Sequence, residues 1–325
     1  MLEIAKYVRA ESLEEAYDLN QKKGNVILGG MLWLRLGSRR VNTAIDLSAL
    51  SLDKIEEIPK DGLGAMADNG APGTPEAMAD NGAPGMPEAM ADNGAPGMPE
   101  AMADNSTPGT PDGIREAAEM CGGYRIGAMA TLRQLEKHEG LNRLTDGAIK
   151  DCVRDIVGVQ FRNLATVGGS LFGRFGFSDV LTFLMAAGAK AELYHGGIVT
   201  VEEFARMPFD RDILTHVIFP GKKQRIGWQS FRNSRTDFSV LNCCVSLEEK
   251  ETRCCVGARP MKAVCLRDEQ GILKDGITPE SARAFGRYVK ENVKTGSNLR
   301  GSGEYRSMLA ETLTRRALLS AAEIR

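Results

Sequence analysis

The stretch RNLATVGGS, residues 162–170, ends in a Gly-Gly pair that follows a short apolar segment, and ILGGM, residues 27–31, is built in the same way. A glycine pair after a strand permits positive φ and leaves successive backbone N–H groups facing outward, an arrangement that binds anions such as phosphate. Each turn alone is a weak signal, because a Gly-Gly pair is more often only a turn. Neither turn is G-x-G-x-x-G or G-x-x-x-x-G-K-[ST], which argues against a Rossmann dinucleotide site and a Walker ATPase.

The sequence around the two turns is typical of an α+β protein. A capping box at Ser12–Glu15 begins an N-terminal helix, and strand and helix patterns then alternate up to Pro220. Strand character is found at 26–28, 42–47, 54–58, 124–128, 191–194 and 213–219, and helical character at 131–138, 143–157, 180–189 and 200–207. Beyond Gly221 the pattern becomes a meander of three strands at 228–231, 239–248 and 253–257, followed by helices at 278–290 and 304–322. We therefore expect a domain boundary near residues 221–227.

A twelve-residue unit, AMADNGAPGMPE in its commonest form, occurs four times between Ala65 and Asp112. Eight of the 13 prolines of the chain lie in these repeats and prevent a helix or sheet from propagating. The segment lacks large β-branched and aromatic residues, so burial cannot offset the entropy of ordering it. The repeats predict a disordered acidic insertion between the strands that end at Ile58 and begin at Tyr124. A recognition module for a partner is the alternative.

Composition limits the function classes. The chain has 325 residues, a net charge of −2 and 42% hydrophobic residues, as expected of a globular protein. The sequence has no block of like charges, so it does not indicate a nucleic-acid partner. No stretch approaches the roughly 18 apolar residues of a membrane span, and the N-terminus has no secretory signal pattern, so we expect a cytoplasmic protein.

Cysteine and histidine provide no catalytic or metal motif. The seven cysteines are an odd number, which disfavours a disulfide framework. Cys243-Cys244 and Cys254-Cys255 are adjacent pairs that would point to opposite faces of a strand, and neither pair completes a zinc set. We interpret them as buried thiols in two neighbouring strands. The three histidines lie in no motif, so we expect neither a catalytic residue nor a metal ligand in this chain.

Four separated segments resemble the FAD-binding (medium) subunit of the xanthine dehydrogenase and carbon-monoxide dehydrogenase family of molybdenum hydroxylases. These segments are the first glycine turn with NTAIDL, residues 42–47; YRIGAMATL, residues 124–132; RNLATVGGS with Asp179; and LRGSGEYR, residues 299–306, with LTRRA, residues 313–317. The resemblance implies an α+β fold: a two-part FAD-binding fold of the PCMH type plus a small C-terminal α+β domain with a three-stranded antiparallel sheet and helices. It divides the chain into a first FAD-binding subdomain (1–58), the insertion (59–123), a second FAD-binding subdomain (124–222) and the C-terminal domain (223–325).

The resemblance also implies a cofactor and its contacts. FAD would lie extended between the first and second subdomains. The first turn would line its pyrophosphate and ribityl groups, the second turn would face the phosphates, Asp179 would bind FAD through its carboxylate, Leu214 would pack near the isoalloxazine, and Arg232 would lie near the ring or the adenine. The implied cofactor-binding residues are Val26, Ile27, Leu28, Gly29, Gly30, Met31, Leu32, Thr166, Gly168, Gly169, Ser170, Asp179, Leu214 and Arg232.

Two features depart from the family pattern. The first turn continues with Met31 where relatives usually have Thr, and the loop LFGRFGFS, residues 171–178, is bulkier and lacks a proline. Trp33, next to the first turn, is interpreted as a packing residue close to the cofactor.

As a family member, the chain would be the FAD-dependent oxidoreductase subunit of a xanthine dehydrogenase-like complex. Electrons would arrive from a large molybdopterin-binding subunit through the [2Fe-2S] clusters of a small iron–sulfur subunit, and would leave to NAD or another acceptor. A flavin-poor scaffold or assembly subunit of the same type of complex is the alternative.

Overall fold

A computed structural model describes residues 2–59, 122–248 and 251–323 of the chain. The four repeats lie outside the described residues, so the predicted disorder of the insertion stays a prediction. All the residues that the resemblance implies for cofactor binding lie among the described residues.

The described elements form runs of strands and runs of helices, as is typical of an α+β fold. The strands are β1 (Glu3–Arg9), β2 (Val26–Leu28), β3 (Arg40–Asp46), β4 (Ile55–Ile58), β5 (Gly123–Gly127), β6 (Lys190–Leu193), β7 (Gly197–Thr200), β8 (Leu214–Pro220), β9 (Arg225–Phe231), β10 (Leu241–Leu247), β11 (Thr252–Gly257) and β12 (Val264–Arg267). The helices are α1 (Leu13–Gln21), α2 (Leu132–Lys137), α3 (Glu139–Leu144), α4 (Ala148–Val153), α5 (Val159–Arg162), α6 (Val167–Leu171), α7 (Asp179–Ala186), α8 (Val201–Arg206), α9 (Pro279–Asn292) and α10 (Gly303–Ala321), with a 3₁₀ turn at Leu34–Leu36.

The N-terminal part is a parallel sheet of three strands in the order β1-β3-β2. Helix α1 begins at the N-cap Ser12, whose side chain accepts a hydrogen bond from the Glu15 N–H, and it packs against β2 and β3. Strand β2 ends at Leu28, so the sheet presents the first glycine turn at its edge.

The middle part is an antiparallel sheet of five strands in the order β4-β5-β8-β6-β7. Strands β4 and β5 flank the insertion, and Ile58 is paired with Gly123. The chain therefore leaves the sheet and returns to it at the same point, which is a position where an insertion perturbs the fold least.

The helical prediction for residues 143–157 was wrong in one respect, because the segment is divided between α3 and α4. Asp146 and Gly147 between the two helices have φ values of +47° and +81°. A left-handed residue ends a right-handed helix, so one continuous helix could not form.

The C-terminal part contains an antiparallel sheet in the order β12-β11-β10-β9, covered by α9 and α10. The expected three-stranded sheet thus has a fourth strand, β12. Sequence reasoning missed it because it is only four residues long and no strong turn pattern separates it from the loop that follows.

This C-terminal sheet is shared by two hydrophobic cores. Cys244, Cys255 and Trp228 pack with the middle part of the chain, including Phe183 of α7. Cys243 and Cys254 face the other way and pack with α9 and α10. The adjacent cysteines therefore do lie in neighbouring strands with opposite orientation, as predicted. The six described cysteines are free and buried, and burial raises the pKa of the Cys152, Cys244 and Cys255 thiols well above the ordinary value.

Candidate cofactor site

The two glycine segments touch each other although they are far apart in sequence. A Cβ atom built on Gly30 would lie 1.8 Å from the carbonyl oxygen of Leu164. A Cβ on Gly29 would lie 2.9 Å from Oγ1 of Thr166. Gly30 is required because the two backbones approach too closely for a side chain, and a side chain at Gly29 would displace the Thr166 hydroxyl. The N-terminal sheet and the middle part of the chain therefore meet at the site that the resemblance implied.

The first turn offers unpartnered backbone donors. Met31 has a φ of +59°, and its side chain packs with the small cluster of Leu28, Val41 and Ala44. Within the described part of the chain, no acceptor is hydrogen-bonded to the N–H groups of residues 30–33. A row of free N–H groups around a left-handed residue is a nest suited to an anion.

The second segment is not the outward-facing turn that the sequence predicted. Thr166 is the N-cap of α6, and its Oγ1 accepts a hydrogen bond of 3.0 Å from the Gly169 N–H. The N–H of Gly168 donates to the Ala128 carbonyl at 2.7 Å, and the N–H of Ser170 donates to the Thr166 carbonyl. These backbone donors are engaged within the protein, so the segment does not present a row of free N–H groups, and its contact with a cofactor stays a prediction.

The group of this segment that can still bind a ligand is the hydroxyl of Thr166. Thr166 Oγ1 accepts one hydrogen bond and keeps its own proton for another acceptor. Gly168 is needed for a different reason, since a Cβ there would lie 2.8 Å from the Ala128 carbonyl oxygen. The glycine pair thus brings α6 close to the segment that precedes α2, and leaves Thr166 facing Gly29.

Asp179 and Arg232 are brought together. Arg232 Nη2 donates to Asp179 Oδ2 at 2.5 Å, and Ser239 Oγ and Asn242 Nδ2 donate to Oδ1 at 2.9 and 2.6 Å. The Asp179 carboxylate is buried and accepts from donors of the C-terminal domain. Sequence reasoning missed Ser239 and Asn242. The one available signal was Asn242, a polar residue in the otherwise apolar start of β10.

The other implied residues have mainly packing roles in the structure. Val26, Ile27 and Leu28 form β2 and position the first turn, while Leu32 packs against the core of the middle part. Leu214 begins β8 and is buried in that same core. A direct contact of these side chains with a cofactor stays a prediction.

An aromatic cluster that the sequence did not predict lies beside the first turn. The ring of Trp33 is 6.0 Å from Phe175, 5.6 Å from Phe177 and 5.8 Å from Phe238. We call these four residues the Trp33 cluster. It joins the N-terminal part, the loop after α6 and the C-terminal domain. The bulk of LFGRFGFS, noted as a departure from the family pattern, was the only sequence signal for it.

The histidines have structural surroundings. His138 caps α3 by accepting from the Leu141 N–H, the ring of His195 lies tilted against that of Tyr17, and His216 lies 3.4 Å from Glu192. Among the described residues, no group of three or more His, Cys, Asp or Glu side chains is arranged to hold a metal ion. In the same part of the chain, every helix is too short or too polar to cross a membrane.

The chain matches two protein families. Residues 112–222 match the FAD-binding domain in molybdopterin dehydrogenase, and residues 227–321 match the C-terminal domain of the CO dehydrogenase flavoprotein. The two matches follow one another in the order of the two domains described above.

The chain is also similar to individual proteins. The chain is 25% identical over 193 residues to the uncharacterized protein YgfM of Escherichia coli K12, covering 59% of this chain and 70% of YgfM. It is 24% identical over 218 residues to the xanthine dehydrogenase FAD-binding subunit of Escherichia coli O157:H7, covering 62% and 74%. A chain of the reconstituted CO dehydrogenase from Oligotropha carboxidovorans has the same fold, with a TM-score of 0.68, 16% identity and coverage of 99% and 98%.

The consecutive family matches and the shared α+β fold confirm the resemblance found in the sequence. The chain belongs to the family of FAD-binding subunits of molybdenum hydroxylases, which includes the xanthine and CO dehydrogenases.

Proposed function

We propose that this chain binds FAD where the two glycine segments meet and serves as an electron-transfer subunit of a molybdenum-containing hydroxylase. The observation that carries the proposal is the contact of Gly29 and Gly30 with the segment Leu164–Gly169, beside the unpartnered N–H groups of residues 30–33.

The residues present fit the pyrophosphate of FAD. Backbone N–H groups of the first turn can donate to its negatively charged oxygens without a lysine or a metal ion. Thr166, whose hydroxyl faces Gly29, would supply one further donor from the opposite side. The absence of side chains at both glycines lets the first turn lie directly against the segment that carries Thr166, so that donors from both segments can reach one ligand.

The chain's own residues would bind and orient the cofactor rather than act on an organic substrate. When bound, FAD supplies one- and two-electron exchange. Gly29 and Gly30 would fix the position of the pyrophosphate, and the ion pair of Asp179 with Arg232 would hold the C-terminal domain against the middle part. None of these residues needs to donate or remove a proton on the substrate.

The partners follow from the family. A large molybdopterin-binding subunit and a small iron–sulfur subunit would deliver electrons to the flavin, and NAD or another acceptor would remove them. The named relative, a xanthine dehydrogenase FAD-binding subunit, supports this arrangement. The six free cysteines suit a reducing compartment such as the cytoplasm.

The test is the visible spectrum of the purified chain. We expect a flavin absorption band, and the release of FAD when the protein is denatured, in a near 1:1 ratio to protein after FAD is added. Uptake of FAD should stop when Gly30 is replaced, whereas the control Gly158→Ala should retain it.

A second candidate is the flavin-poor scaffold subunit. It is favoured by two observations: the N–H groups of Gly168 and Gly169 are engaged within the protein, and the Asp179 carboxylate is already bonded to three donors. A folded, colourless chain that takes up no added FAD, yet binds the large and small subunits, would support this candidate and overturn the first.

A further inference from the structure

The Trp33 cluster contains a buried donor without an acceptor. The indole Nε1 of Trp33 is shielded from solvent and has no hydrogen-bond partner within the described residues. A buried N–H without an acceptor destabilises a protein, and the indole N–H of a packed tryptophan usually finds one. Packing alone therefore does not account for Trp33.

Two further unpartnered donors lie next to this cluster. The guanidinium of Arg300 lies 5.0 Å from the ring centre of Phe238, and its Nη2 donates to Asp237 at 3.3 Å, but its Nε has no partner. Arg232 donates to the Asp237 carbonyl and to Asp179, and its Nε is likewise unpartnered. The Arg232 side chain is only 9% exposed.

The aromatic rings of the Trp33 cluster and the unpartnered N–H groups fit one kind of ligand. Four aromatic rings supply an apolar surface, and Trp33, Arg232 and Arg300 supply N–H groups that need acceptors. A ligand that satisfies both is a planar aromatic ring with several acceptor atoms along one edge. The oxidised isoalloxazine has this form, with acceptors at N1, O2, O4 and N5.

We propose that the Trp33 cluster is a wall of the flavin site, and that the Trp33 indole N–H donates to an acceptor atom of the isoalloxazine ring. This inference rests on the proposed binding of FAD by this chain. The first turn that would hold the pyrophosphate ends only two residues before Trp33, so one ligand can reach both. Arg232 and Arg300 would then lie on the side of the ring where negative charge develops on reduction.

The two tryptophans of the chain permit a direct test without a mutation at the site. In a ¹⁵N-tryptophan-labelled, flavin-free sample, the indole N–H groups of Trp33 and Trp228 give two resonances. The variant Trp228→Phe assigns them. We expect added FAD to shift the Trp33 resonance downfield, as a new hydrogen bond requires, and to leave that of Trp228 nearly unchanged. An unshifted Trp33 resonance in a chain saturated with FAD overturns the inference.

A variant adds a quantitative measurement. Trp33→Phe keeps an aromatic ring and removes the N–H, and we expect it to weaken FAD binding about fivefold to tenfold, as the loss of one hydrogen bond implies. The control Trp228→Phe should bind FAD like the wild type. Arg300→Gln should make the flavin reduction potential more negative, because it removes a positive charge near the reduced ring.

The outcomes separate this inference from the proposed function. A wild-type chain that takes up no FAD overturns the proposed function itself. Uptake of FAD with a wild-type affinity and an unchanged flavin spectrum in Trp33→Phe keeps the proposed function and overturns the role of Trp33.

Discussion

Arg232 and Asp179 form a buried ion pair with an Nη2–Oδ2 distance of 2.5 Å, and the two residues belong to different domains. Asp179 begins α7 in the middle part, and Arg232 follows the first strand of the C-terminal sheet. The pair, together with Ser239 and Asn242, replaces the water that both charges lose on burial. A buried pair of this kind depends on such additional hydrogen bonds, and here both carboxylate oxygens of Asp179 have donors whereas the Nε of Arg232 has no partner among the described residues.

The first prediction concerns this ion pair. Asp179→Ala leaves the Arg232 guanidinium buried without a counter-charge, and we expect a loss of about 3–5 kcal/mol in the free energy of unfolding. Urea denaturation of the flavin-free chain measures it. Asp151→Ala is the matched control, because Asp151 is 52% exposed and pairs only with Arg154, so that the loss should stay below about 1 kcal/mol. Equal effects of the two variants would contradict the interpretation.

The second prediction concerns the contact of the glycine segments. Gly30→Ala places a Cβ 1.8 Å from the Leu164 carbonyl oxygen, so one of the two backbones must move. We expect a destabilisation of about 2 kcal/mol or more and a loss of bound flavin, measured by denaturation and visible absorbance. In Gly158→Ala the nearest atom to the new Cβ is the flexible end of Gln160 at 3.2 Å, so stability and flavin content should stay near wild type.

The third prediction uses a strained residue between α4 and α5. Val157 has a φ of +50°, which is unfavourable for a β-branched side chain, and its side chain is 44% exposed. Val157→Gly should therefore raise the free energy of unfolding by about 0.5–1 kcal/mol, because it relieves the strain and removes little packing. Val159, equally exposed, is the first residue of α5, and Val159→Gly should lower stability by up to about 1 kcal/mol. Thermal unfolding of both variants distinguishes the two effects, and a destabilised Val157→Gly would contradict the argument.

The fourth prediction concerns acid stability. Burial raises the pKa of Glu192, but the nearby His216, whose Nδ1 lies 3.4 Å from the carboxylate, and two hydrogen bonds from Arg125 outweigh this and lower it to about 2. Because the folded pKa is below the unfolded value of 4.5, the stabilisation is fully present above about pH 4.5 and is lost as the pH falls toward 2. Arg125→Gln should raise the pKa of Glu192 and move acid unfolding to higher pH, with a loss of about 1–2 kcal/mol at pH 7. The control Arg154→Gln, at an exposed pair, should leave the acid transition in place.

The fifth prediction concerns the insertion. Ile58 and Gly123 are paired, so the ends of the connection are already adjacent in the sheet. Excision of residues 65–112 shortens the connection about fourfold and, if the segment is disordered as predicted, should stabilise the fold by about 1 kcal/mol. Flavin content should not change. Loss of partner binding with flavin retained would instead support the recognition module.

The sequence was informative where a residue type has one physical reason to be present. The Gly29-Gly30 pair indicated a turn in which residues without a side chain are needed, and the structure shows that need at Gly30, whereas the expected positive φ is found at Met31 and not at either glycine. The adjacent cysteines indicated buried strands with two covered faces, and β10 and β11 have them. These are local requirements that a single chain reveals without its neighbours in space.

The parts that could not be predicted depend on contacts between distant segments. The N–H groups after Thr166 looked available because their acceptors, Ala128 and Ala130, lie about 40 residues earlier in the chain. The donors to Asp179 lie about 60 residues later. The Trp33 cluster joins three parts of the chain, and no spacing rule links Trp33 to Phe238.

The shared C-terminal sheet limits how the protein can be divided or can unfold in parts. Each of its two faces closes a different core, so no cut between the middle part and the C-terminal domain leaves both cores intact. A chain truncated near residue 222 would expose the apolar side of α7 that now covers Cys244, Cys255 and Trp228, and such a surface favours aggregation over autonomous folding. The sequence boundary at 221–227 therefore separates two patterns of secondary structure but not two independent folding units, and hydrogen exchange in both cores should report a single cooperative opening.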